Sequence, residues 1–154
     1  MQQRHHTLGF TVIEMLVVFA VIGALAFVSV QTFINMRNIQ TLKVSTQDVW
    51  LALRSARDAT FSAENDHAYG VHIESTRVTR FIAPTYASTT VSNTVYSLSD
   101  NVTATTTLTG GVQDVVFSRL SGNASATGTI TLTQTISGAT SSIRVSANGM
   151  IDII

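Results

Sequence analysis

The chain has 154 residues, a formal net charge of +0, 12% charged residues and no cysteine. That length suits one domain plus an appendage. The charge balance points to neither a nucleic-acid partner nor a disordered acidic tail, and the lack of Cys excludes a disulfide framework and any Cys-ligated metal or redox site.

Apolar residues are concentrated before Ile34, and the second half is a Thr, Ser, Val, Ile and Gly mixture suited to strands and turns. Met15 to Val28 is apolar without a break, and widening the window to Phe10–Val30 adds only Thr11, Glu14 and Ser29. About 20 such residues suffice to cross a bilayer as a helix, so the first half of the helix is expected to be transmembrane. Arg4, with His5 and His6, precedes the run and favours a cytoplasmic N-terminus, although Arg37 and Lys43 follow it. A secretory signal peptide explains the basic start and the apolar run. It does not explain Glu14, because a carboxylate at the centre of a membrane helix costs about 2.5–3.5 kcal/mol. A cut between Gly9 and Phe10 supplies the missing partner: Phe10 becomes an ammonium terminus, with Glu14 one helical turn away. The carboxylate then neutralises that amine or a neighbouring copy's, and it also complements the helix dipole.

The segment Gly9-Phe10-Thr11-Val12-Ile13-Glu14-Met15-Leu16-Val17-Val18 resembles the class III signal of type IV prepilins and type II secretion pseudopilins. The resemblance implies cleavage after Gly9 by a prepilin peptidase, methylation of Phe10, and a role for Glu14 in assembly. It implies other pilin or pseudopilin subunits, an inner-membrane assembly platform and, before assembly, membrane lipid as partners. It also implies a single-pass protein of the bacterial inner membrane, with its head outside the cytoplasm until it joins a pilus or pseudopilus. The expected fold class is α+β and type IV pilin-like, a long N-terminal helix with a transmembrane first half packed on an antiparallel β-sheet head. The expected divisions are a leader 1–9, an assembly helix 10–34, an amphipathic continuation 35–66 and a β-rich head 67–154.

Beyond Val30, Ile39, Leu42, Thr46, Val49, Leu53, Ala56 and Thr60 recur at steps of three and four, which marks one helical face. Trp50 beside it is read as packing between helix and sheet. One helix from about Phe10 to Ala63 spans on the order of 80 Å, and it should fade over Ser62–His67, where Asn65 and Asp66 are poor helix formers.

In the head, 69–74 and 77–82 flank Ser75-Thr76 as a hairpin. Further strands are expected at 95–98, 102–108, 112–118 and 127–136, the last alternating Thr with Ile and Leu. The run 143–146, an Asn148-Gly149 turn and 150–154 close the chain as a hairpin. This C-terminal order is similar to that of H-type minor pseudopilins.

No catalytic residue, cofactor or metal site is expected. His67 and His72 read as exposed or hydrogen-bonded rather than as a metal pair. Asp100, Asn101 and Asp114 read as solvated turns. No nucleophile elbow, P-loop or dinucleotide fingerprint occurs. Arg77 and Arg80 lie three apart on one strand and so point to opposite faces, which argues against DNA binding; a minor tip subunit binding DNA or a surface ligand, or a simple membrane-anchored β domain, stands as the alternative to a filament subunit.

Overall fold

The computed structural model describes residues 9–154, without the side chains of 28–32; the rest of the expected leader, 1–8, lies outside the described residues. The chain divides into two compact units, one ending at Met36 and the other Arg37–Ile154. A single helix, α1, spans Val12–Phe61.

In the first unit the apolar side chains of α1 face outward, with Val12, Ile13, Leu16, Phe19 and Leu25 all exposed. The expectation of a transmembrane first half, and with it a single-pass inner-membrane location, is corrected here. Among the described residues, no helix is long and apolar enough to cross a membrane.

In the second unit the predicted helical stripe turns inward. Val49, Leu53, Ala56 and Thr60 are each 0% exposed, and Leu42 and Thr46 are buried with them. Small residues widen the buried face: Ser45, Ala52 and Ala59 are also buried. Ile39 breaks the pattern at 59% exposed. It lies in a shallow groove beside Leu42, Lys43 and Ile153, at the rim of the packed region.

The helix ends where its sequence stops supporting it. Ala63, Asn65 and Asp66 take positive φ values of 52°, 52° and 64°, a region that Asn and Asp enter more readily than most residues. A short 3₁₀ turn, Glu64–Asp66, leads into the head.

Eight strands follow: β1 Tyr69–Ile73, β2 Arg77–Ile82, β3 Thr94–Ser97, β4 Val102–Leu108, β5 Asp114–Val116, β6 Gly128–Gln134, β7 Thr140–Val145 and β8 Ile151–Ile153. They form two antiparallel four-stranded sheets, ordered β3-β2-β1-β5 and β4-β6-β7-β8, where one sheet was expected. The split follows from pairing. The whole of β4 pairs with β6, from Val102↔Gln134 to Leu108↔Gly128, leaving β3 to pair with β2 alone.

The inner faces of both sheets join the α1 stripe in one core, which includes Val71, Val78, Val115, Phe117, Ile130 and Ile143. Burying several such branched and aromatic side chains, at about 1.5–3 kcal/mol each, supplies the main driving force. The outer face of the second sheet is a grid of hydroxyls: Thr103, Thr105 and Thr107 stand opposite Thr133, Thr131 and Thr129. The expected 112–118 strand shortens to β5, and the 121–126 loop is held by an isolated bridge between Phe117 and Ala124.

Candidate functional site

Gly9, Phe10 and Thr11 precede the first turn of α1. Phe10 is 77% exposed, and among the described residues beyond its chain neighbours no atom lies within 4 Å of where a Cβ on Gly9 would stand. The Gly9–Phe10 peptide bond is therefore in an open, non-helical segment.

Thr11 starts the helix. Its Oγ1 accepts a hydrogen bond from the Glu14 N–H at 3.3 Å, and its carbonyl accepts from the Met15 N–H at 3.3 Å. Thr-x-x-Glu at a helix start is the capping-box spacing, a signal present in the sequence that the sequence reading passed over. Glu14 lies exposed in the first turn, where its charge complements the helix dipole. Among the described residues it has no ion pair.

A second cluster lies on the outer face of the first sheet. Register places His72 of β1 beside Asp114 of β5 and Thr79 of β2. His72 Nδ1 meets Asp114 Oδ1, and His72 Nε2 is 3.6 Å from Glu74 Oε1. Glu74 is gripped by Arg77, which donates from Nε at 2.7 Å and from a terminal nitrogen at 3.1 Å. The Arg77 guanidinium holds the Glu74 carboxyl below its ordinary range, mainly through that hydrogen bonding. Tyr86 stacks on His72 with ring centroids 3.9 Å apart, donates to Glu74 at 3.3 Å, and meets Phe81 edge-on at 5.6 Å. The cluster thus fastens the segment between β2 and β3 onto the sheet.

Beneath Tyr86, Phe81 is 2% exposed and lies over Gly70, where a Cβ would come within 2.7 Å of its ring. His72 is hydrogen-bonded, as expected. Asp114 is its partner rather than a solvated turn residue, because two strands distant in sequence become neighbours. His67 is exposed. Among the described residues, no group of three or more metal-binding side chains occurs.

The head arginines do not form a stripe. Arg80 lies over the Tyr69 ring at 5.4 Å, Arg119 pairs with Asp66, Arg77 is held by Glu74, and Arg144 of β7 stands opposite Asp152 of β8. Trp50 is half-buried against the core, and its indole N–H donates to the Ile151 carbonyl at 3.1 Å. The last strand is thereby fixed to α1.

No family model and no curated protein matches the chain. Among solved structures, the chain is similar to the minor pseudopilin EpsH from the type 2 secretion system of Vibrio cholerae. The TM-score is 0.51 at 14% identity, over 73% of this chain and 95% of that one. At that identity the likeness establishes a pilin- or pseudopilin-like fold: a helix packed on antiparallel sheets.

Proposed function

We propose that the chain is a structural subunit of a type IV pilus or type II secretion pseudopilus, released from its leader after Gly9 and assembled through α1. The observation that carries this reading is the Gly9-to-Val18 signal at the start of the helix of a pilin-like fold. The open segment around Gly9 and Phe10 suits a peptidase. The outward apolar side chains of 12–27 suit packing against the equivalent helices of other subunits. Cleavage gives Phe10 a positive charge, which Glu14 of the same or a neighbouring chain neutralises as water is excluded. Prepilin peptidase, sister subunits and an assembly platform are the partners of this scheme, and the energy of assembly comes from another protein. The C-terminal pattern favours an H-type minor subunit.

The test is the first residue of the native chain, read by intact mass and N-terminal sequencing. The expected result is a methylated Phe10 terminus in the wild type and a retained leader when Gly9 is replaced by a bulky residue. Glu14→Ala should leave cleavage nearly intact and impair incorporation into filaments. A mature chain beginning anywhere else, or normal incorporation of Glu14→Ala, overturns the reading.

A further inference from the structure

The second unit contains a cleft of about 250 Å³ between α1 and the Asn148–Gly149 turn, lined by Trp50, Arg54, Arg57, Asp58, Gly149 and Met150. Arg57 Nε is buried there and has no hydrogen-bond acceptor. The ion pairs of the described residues leave Arg57 out.

Two glycines wall the guanidinium in. A Cβ on Gly149 would stand 2.7 Å from Arg57 Nε, and one on Gly122 would stand 3.3 Å from it. Both glycines have positive φ, 65° at Gly122 and 75° at Gly149, so the backbone geometry and the close approach each call for glycine. The chain therefore closes around Nε without giving it an acceptor, and Nε is the one guanidinium nitrogen so enclosed.

Arginine cannot relieve that situation by losing its proton. Arg54 adds a second cation, 4.9 Å above the Trp50 ring. Its pairing with Asp58 is loose, at 3.7 Å with side chains 58% and 61% exposed. Two arginines against one aspartate leave the cleft one positive charge in excess. A planar or tetrahedral oxyanion fills this need, because a guanidinium edge presents two parallel N–H donors.

We propose that the cleft is an oxyanion-binding site, taking a carboxylate or phosphate group against the edge of Arg57, with Arg54 as the second cation. The proposal stands without the filament reading. The two sources of the oxyanion, a free phosphate and a carboxylate of a neighbouring copy, are separated by the test.

The full chain is kept monomeric in mild detergent and titrated with inorganic phosphate and then acetate, with chloride holding ionic strength constant. Two signals are read: the fluorescence of Trp50, the single tryptophan, and the Arg57 Nε–H resonance. The expected result is a saturable change in both, with half-saturation in the millimolar range. Arg57→Gln should weaken it roughly tenfold or more, while Arg77→Gln on the opposite sheet leaves it unchanged. The wild-type Nε–H signal decides the matter even if Arg57→Gln fails to fold. No saturation, or an equal response in Arg57→Gln, overturns the proposal. Repeating the titration on self-associated chains assigns the source. Loss of the phosphate response on association, with weaker association of Arg57→Gln, identifies a neighbour's carboxylate; an unchanged response identifies free phosphate.

Discussion

Thr60 joins the end of α1 to the first strand of the head through a single hydroxyl, and replacing it by Val tests how much that joint matters. The hydroxyl is 0% exposed with its residue, accepts the Tyr69 N–H at 2.8 Å and donates to the Ala56 carbonyl at 2.8 Å. Valine has the same shape without the oxygen, so Thr60→Val leaves a buried backbone N–H with no acceptor. That omission costs about 1–3 kcal/mol. Thr46 is an internal control on the same stripe. It is 2% exposed and donates to the Leu42 carbonyl at 2.8 Å, with no backbone N–H depending on it. Thr46→Val should therefore cost clearly less than Thr60→Val, because it strands no backbone N–H. Urea unfolding followed by circular dichroism gives both values. In a chain of this size each kcal/mol also moves Tm by about 2–4 °C. Equal effects of the two substitutions, or a Thr60→Ser variant as unstable as Thr60→Val, refute the reasoning.

Gly70→Ala should destabilise the head by about 1–3 kcal/mol, because the new Cβ meets the Phe81 ring at 2.7 Å and 2.9 Å. Combining it with Phe81→Leu should recover part of that loss in a double-mutant cycle; strict additivity contradicts the contact. The Glu74 carboxyl is lowered in the folded state by Arg77. The stabilisation it contributes is therefore full above the ordinary carboxylate pKa and is lost as pH falls through the lowered folded value. The stability gap between wild type and Arg77→Gln should accordingly be constant near neutrality and shrink in that acid range. A gap independent of pH down to full protonation excludes the pair as its source. Trp50→Phe should loosen β8 by removing the indole donor to Ile151, seen as faster amide exchange across β8 than across β6. Equal exchange rates count against that tie.

Local signals made much of this fold legible. The stripe from Leu42 to Thr60 repeats every three or four residues, and each of its members is buried. The hairpin of β1 and β2 was readable from two β-forming runs around Ser75-Thr76, and the final turn from Asn148-Gly149. What depends on partners distant in sequence was not legible. Nothing near Val102 announces that β4 pairs with β6 rather than with β3, which is what makes two sheets of one. His72 and Asp114 are 42 residues apart and meet only because β5 docks on β1. Arg57 looks like an ordinary helical arginine until Gly122 and Gly149 close over it. At the N-terminus the motif was plain in the sequence, whereas the capping role of Thr11 needed the helix boundary to be seen.

The hydroxyl grid on the outer face of β4 and β6 bears on how copies of this chain meet. Its threonine rows carry no charge, and the whole chain balances at +0. Neither long-range repulsion nor attraction then governs approach, so encounter rates should vary little with ionic strength. At this face the selection falls to short-range fit, and stripping water from the threonine rows opposes burying them.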